Sequence, residues 1–423
     1  MEPLYVGLGV IAVILTLVAV FTHPGRRSGL SFLLGVCAGL VEFQVFRIHV
    51  FTILVVIWMC LPRGAASRYS VRRVTALGIS VLLVASTTLL GELVNSPTLA
   101  LQLLGLAASA IIVALRATRD DARIMLWGLL VIATVGSVVG ILQVLKVVPT
   151  DLWHLEISTV GRPTGIYPEP DWLGMYAGLG VILSWRLSMS RAGKVIFTVL
   201  NSGALVLAMA RASWVALVVT VLLALIVSMA YRRGGAFSSK LNGSRRGRVA
   251  AVGVATLTGI IALSAVPQLQ EDLVRRASTM MGTVQETDIS GQARIRQNDS
   301  LMSLAESVPV YGHGLSAAGR VGAWGQLDAV GDAKNNVASN WILGMWVDGA
   351  WFALPLIIFL IALALLRIRT LPGQLLLFCL VSSLFSNAMF FPVTWLLIGL
   401  AITAGFRLIE TGRSYSSANS FAT

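Results

Sequence analysis

Runs of uncharged, mostly aliphatic residues recur along almost the whole chain, most of them close to the length a helix needs to cross a hydrocarbon layer. The pattern predicts spans over about 4–22, 29–42, 49–62, 75–91, 98–115, 125–145, 172–186, 195–209, 213–231, 249–266, 341–366, 374–390 and 393–407. The expected fold class is all-α, a polytopic integral membrane protein with about 13 transmembrane helices and one large external loop. The second and third spans are short enough to be re-entrant, which keeps about 12 to 14 open. The first run, from Leu4 to Phe21, lacks a basic leader and a small-residue cleavage site, so it is expected to stay as a helix.

One long polar interval breaks the pattern, from about Pro267 to Ala338. The expected organisation follows from it: spans over 1–266, an external roof over 267–338, further spans over 339–408 and a disordered tail over 409–423. Within the roof, Ala293 to Val308 reads as an amphipathic helix with Ile295, Leu301, Met302, Leu304, Ala305 and Val308 on one broad face. Arg294 falls inside that face, while Arg296 falls opposite, near Asp299 and Ser303. A guanidinium on an apolar face is costly unless it meets an anion, so Arg294 is a candidate anion ligand. The alternative is an internal ion pair, for example with Glu271 or Asp272.

Composition agrees: 56% of residues are hydrophobic and 12% charged. The net charge of +13 would suit a nucleic-acid binder, but its distribution points to a membrane instead. Of the 32 Lys and Arg, 22 fall on one set of loops with only Asp120, Asp121 and Glu410 among the acids. By the positive-inside rule that face is cytoplasmic, with the N-terminus outside and the C-terminus inside. The basic linker 232–248 then lies near anionic membrane lipid. Cys37, Cys60 and Cys379 all sit in expected spans and imply no disulfide framework.

Three external stations carry candidate chemistry. In Gly161-Arg162-Pro163-Thr164 through Pro168-Glu169-Pro170-Asp171, the prolines hold Glu169 extended, and Asp171 stands where a helix N-cap belongs. Glu169 is the candidate general base, and Asp171 is either a cap or a catalytic group. Arg211 is the sole charge between Val195 and Tyr231, a stretch that must turn near Ala208 to Ser213. It faces a lipid head group or a substrate phosphate at the outer membrane edge. Asn340 opens the eleventh span, either capping it or binding a sugar hydroxyl. His313, bracketed by Gly312 and Gly314, is a candidate acid–base group, while His23, His49 and His154 read as structural. No metal-ligand spacing and no phosphate-binding glycine loop is present, so neither a metal nor a cofactor is expected. Asp120-Asp121 reads as an acidic helix start.

Taken in order, Arg162-Pro-Thr-Gly165, Glu169-Pro-Asp171, Ala210-Arg-Ala-Ser-Trp214, Arg294, Gly312-His-Gly314 and Asn340 before Gly349 are similar to the pattern of the O-antigen ligase and polymerase superfamily. The resemblance covers roughly residues 120 to 405, and Glu-Pro-Asp-Trp-Leu-Gly looks most like exopolysaccharide polymerases of high-GC Gram-positive bacteria. It implies a GT-C-like membrane glycosyltransferase that uses a polyprenyl-pyrophosphate-linked glycan donor and a glycan acceptor outside the membrane. It also selects Arg211 and Arg294; with Glu169 and Asp171 these are the expected catalytic residues, and Arg162, Arg296, His313 and Asn340 are expected to bind substrate. Ligases of that superfamily carry a histidine about eleven residues before the glycine, and Ala338 stands there in this chain. The expected activity is therefore glycan polymerisation, with ligation to lipid or protein as the alternative. From another class, a flippase or secondary transporter would share the arginines, but the chain has no internal repeat of the kind transporters are built from.

Overall fold

The computed structural model describes residues 26–45, 48–62, 71–94, 97–148, 162–233, 289–322, 324–329 and 338–403. The expected spans 4–22 and 249–266, most of the basic linker, the tail, and Glu271 and Asp272 lie outside them. The described chain is helical apart from a two-stranded hairpin, β1 (Gln44–Val45) with β2 (Ile48–His49). In order, the helices are α1 (Arg26–Ala38), α2 (Val50–Met59), α3 (Val71–Ser86), α4 (Pro97–Arg116), α5 (Arg119–Val144) and α6 (Pro170–Arg186). They continue with α7 (Arg191–Leu207), α8 (Arg211–Arg233), α9 (Ile289–Glu306), α10 (Trp341–Leu366), α11 (Leu371–Ser382) and α12 (Pro392–Ile402).

Among the described residues, five helices are long and apolar enough to cross a membrane: Val71–Leu89, Pro97–Arg116, Arg119–Val144, Arg211–Ser228 and Trp341–Leu366. Each coincides with an expected span. The other expected spans on described residues form helices of 10 to 17 residues. The largest departure is the expected span 374–390, whose helix stops at Ser382. Beyond it, side chains take over the backbone's hydrogen bonds. Ser383 accepts from the Ala388 amide, Asn387 from Met389, and Thr394 and Trp395 donate to the Ala388 and Met389 carbonyls. Irregular backbone buried in protein is stable only when satisfied in this way.

Small residues let the helices approach where apolar burial alone gives little drive. A Cβ on Gly35 of α1 would lie 1.9 Å from the Met125 carbonyl, and one on Gly128 of α5 would lie 2.1 Å from that of Phe32. The α1–α5 pair is locked at its charged end by Arg27, which grips Asp121 at 3.0 Å, donates to the Pro62 and Arg116 carbonyls and covers the Trp58 ring. Asp121 is also the N3 residue of a capping box with Thr118, as its place in an acidic helix start implies.

Helix α9 packs on α10, and α10 is broken near where the segment after α9 docks: Ala350 has φ 41° and ψ −120°. The Val347 and Asp348 carbonyls accept instead from the amides of His313 and Gly314. The Asp348 side chain accepts from Ala318, at the start of a 3-10 turn over Ala317–Arg320. Gly312, at φ +82°, sits so close that a Cβ would lie 2.2 Å from the Asp348 carbonyl.

Candidate active site

Glu169 is extended, at φ −126° and ψ 144°, as the flanking prolines require. It occupies the N-cap position of α6 without a side-chain capping bond, and Pro170 fills the first helical position. Asp171 is thereby moved into the first turn, which corrects its expected place as the cap. Its carboxylate is instead a bridge. Arg162 donates from Nη2 to Oδ1 at 2.6 Å, and Arg294 donates from Nη2 to Oδ2 at 2.6 Å.

Arg162 is aimed by a second bond, from Nε to the Ala208 carbonyl at 2.8 Å. The loop behind it is held by Gln143 of α5, whose Oε1 accepts from the amides of Thr164 and Gly165. Tyr167 stacks on Tyr176 of α6 with centroids 4.5 Å apart. The turn that Arg162 grips joins α7 to α8 over residues 208–210, inside the expected interval, and Arg211 is the first residue of α8. Gly174 of α6 presses against that turn, leaving 2.2 Å between a Cβ built on it and the Ala210 Cβ. Arg211 therefore starts its helix against the first turns of α6, beside the station that Arg162 and Asp171 occupy.

Arg294 meets an anion, as its position on an apolar helix face required, and that anion is Asp171 of the same chain. The helix that carries it runs from Ile289 to Glu306, four residues earlier at its start than expected. Leu301 is buried as expected, but Met302 is 54% exposed. A buried polar residue takes part of the face, because Gln297 donates to the Val321 and Gly322 carbonyls and accepts from Ser339. Arg296 is exposed, as expected, with its guanidinium carbon 5.6 Å from the centre of the Trp324 ring.

The two carboxyls of the Glu-Pro-Asp station differ in electrostatic environment. Burial alone would raise Asp171, but the Arg162 and Arg294 guanidiniums outweigh it and hold the carboxyl below its usual range. Glu169 is pushed up to about 7, first by the protein crowded around it and then by the Asp171 charge, which its two arginine neighbours only partly offset. Glu42, just beyond α1, adds to the repulsion. Within the described residues no group of three or more His, Cys, Asp or Glu could hold a metal ion.

Two other sequence candidates do different work. Asn340 caps α10, accepting from the Ile342 and Leu343 amides. His313 bonds through its ring to the Leu304 carbonyl and through its backbone to Val347 and Leu93, tying the end of α9 to α10 and to the loop after α3. These bonds make it a brace between α9, α10 and the loop after α3, with none of them directed to the Asp171 cluster.

Residues 196–348 match the family model for O-antigen ligase. The matched segment begins in α7, ends in α10, and contains Arg211, Arg294, Arg296, His313 and Asn340, while Arg162, Glu169 and Asp171 precede it. No curated protein matches the chain. The family match supports the O-antigen ligase and polymerase superfamily, and together with the apolar helices it indicates a membrane protein.

Sequence reasoning missed Glu42, Gln143 and Gln297. Each is a polar residue at or inside an apolar run or face, the same signal that singled out Arg294.

Proposed function

We propose that the protein is a membrane glycan polymerase that transfers a polyprenyl-pyrophosphate-linked glycan to an acceptor sugar hydroxyl on the external face, with inversion and without a metal. In this proposal the chain crosses the membrane about 13 times in a GT-C-like arrangement, N-terminus outside and C-terminus in the cytoplasm. The roof of residues 267–338 covers the site. The observation that carries the proposal is the convergence of Arg162 and Arg294, 132 positions apart, on Asp171 beside the Arg211 turn.

Asp171 orients the two guanidiniums, and Arg211 and Arg294 bind the pyrophosphate. When the acceptor oxygen attacks the anomeric carbon, the bond to phosphate breaks and its electron pair goes to the pyrophosphate leaving group. Arginines stabilise that growing charge more strongly than the ground state, which lowers the barrier. Glu169 takes the acceptor proton, a task its raised pKa suits. Arg162, Arg296, His313 and Asn340 are proposed to support substrate binding, His313 by bracing the roof.

Polymerisation is preferred over ligation because Ala338, at the ligase histidine's position, is buried against Leu301, Ala318, Val321 and Val347. The test is to incubate the purified protein with defined polyprenyl-pyrophosphate glycans and follow products by mass spectrometry. Lengthened glycan on the polyprenyl carrier is expected from wild type, with a severe loss in folded Arg211→Lys and Arg294→Lys, which keep the charge but lose the bidentate fork. Glycan moved intact to a non-glycan acceptor would favour the ligase, and transport without transfer would sink both.

A further inference from the structure

Described residues 321–322 and 324–327 pair back on one another and present an aromatic ring. The inward leg is anchored by Val321, fully buried in the small core with Leu301, Ala318, Ala338 and Val347. The backbone is closed by a Val321–Leu327 bridge and by the Gly322 amide donating to the Gln326 carbonyl. Gln297 of α9 clamps the Val321 and Gly322 carbonyls, and Gly325 comes so near α9 that a Cβ would lie 2.6 Å from the Arg296 carbonyl. Even the Trp324 amide is taken, by the Gln326 side chain. Trp324 itself is 48% exposed, with Arg296 near its ring.

A mobile loop could carry an exposed tryptophan at no special cost, but this one is pinned on both sides of the ring and still leaves the ring open. Rigid, half-exposed aromatics suit recognition, since little side-chain entropy remains to be lost when a ligand covers them. The negative face of an indole attracts the C–H edge of a flat, partly apolar partner, and the axial hydrogens of a pyranose ring form such a face. A guanidinium beside the ring adds donors for the sugar's hydroxyl or acidic groups. The same helix carries Arg294 to Asp171 and Arg296 to Trp324, so one rigid body spans both places.

We propose that Trp324, backed by Arg296, is a stacking subsite for a pyranose ring of the glycan, set apart from the reacting bond on the roof. This rests on the glycan-transfer proposal, deepening it to one subsite, and it can fail separately.

The test uses full-length protein labelled with 5-fluorotryptophan and followed by fluorine NMR. The Trp324 resonance is assigned by its absence from Trp324→Phe. Soluble six-ring gluco-, manno- and galacto-oligosaccharides are titrated in detergent, and the spectrum is then compared in nanodiscs of neutral and of anionic phospholipid. At least one saccharide is expected to shift that resonance. Trp324→Ala should weaken its binding by about three- to tenfold, Trp324→Phe should keep most of it, and Arg296→Gln should weaken it with the fold intact. If Trp324→Ala does not fold, the wild-type titration and Arg296→Gln still decide. A resonance moved by phospholipid but by none of the saccharides would overturn the subsite and make Trp324 a membrane-interface residue. Saccharide binding without any transfer would overturn the reaction and keep the subsite; transfer with an unchanged KM in Trp324→Ala and no shift would do the reverse.

Discussion

Replacing Asp171 by asparagine removes one charge from a carboxylate that holds two guanidiniums at 2.6 Å each, and leaves shape and volume almost unchanged. Charge-assisted bonds of this kind contribute about 1.5–3 kcal/mol apiece when screened from water. Arg162 is 13% exposed along its side chain and should show nearly the full value, whereas Arg294, at 32%, is discounted to about 1 kcal/mol for solvent screening. The asparagine oxygen can still serve one arginine, but its amide then points a donor at the other. The net loss expected is about 2–3 kcal/mol, or roughly 30- to 150-fold in kcat/KM. No helix-capping bond is lost, because Glu169 holds the N-cap position. The assay is a double-mutant cycle with Arg294→Gln, reading kcat/KM for a lipid-linked glycan and thermal stability in detergent. Coupling of at least about 1 kcal/mol is expected, so that the double variant is little worse than the worse single one. Additive effects, or an Asp171→Asn enzyme within about twofold of wild type and equally stable, would refute the bridge as a working element.

Other outcomes test separate parts of the structure. Glu169 is pushed up to about 7, so a base at this position ionises late: kcat/KM should climb as pH rises through about 7, and Glu169→Gln should flatten that limb as well as lower it. Stability has the opposite sign, since a carboxyl with a raised folded value contributes most below its unfolded value and loses that contribution as pH rises towards about 7. A wild-type profile already flat across that window would remove Glu169 as the base. Gly312→Ala should destabilise by about 2 kcal/mol or more, through positive φ and the contact with the Asp348 carbonyl, seen as a lowered melting temperature, while Gly78→Ala on α3, where a Cβ would make only an ordinary contact with the Ile111 side chain at 4.0 Å, should not. For topology, cysteines placed at Ser238 and Ser290 in a protein whose Cys37, Cys60 and Cys379 are replaced by alanine should label from opposite sides, Ser238 from the cytoplasm alone. External labelling of both in intact cells would reverse the orientation and displace the proposed site.

What the sequence by itself determined was whatever depends on neighbours a few positions away. Five long apolar helices follow from run length, because the backbone of a crossing segment must satisfy itself. The turn before Arg211 follows from a run too long for one span and too short for a loop. The extended Glu169 follows from two prolines, and the need of Arg294 for an anion follows from its place on the apolar face. Which anion that is could not be read locally, for Asp171 lies 123 positions away and is brought there by packing. The same holds for Asp171 itself. A short acidic side chain before an apolar run is a cap by local rules, until Pro170 takes the first helical position and two arginines arrive from other elements. Tertiary structure alone also decided where α10 breaks, since Val347 and Asp348 can release their helical partners only because the His313 and Gly314 amides replace them. It likewise ended α11 at Ser382, where hydroxyl, amide and indole groups stand in for the helical bonds that hydropathy had led one to expect as far as residue 390. Hydropathy records what a residue loses by leaving water, and is silent on the distant donor or acceptor that makes a break in the helix affordable.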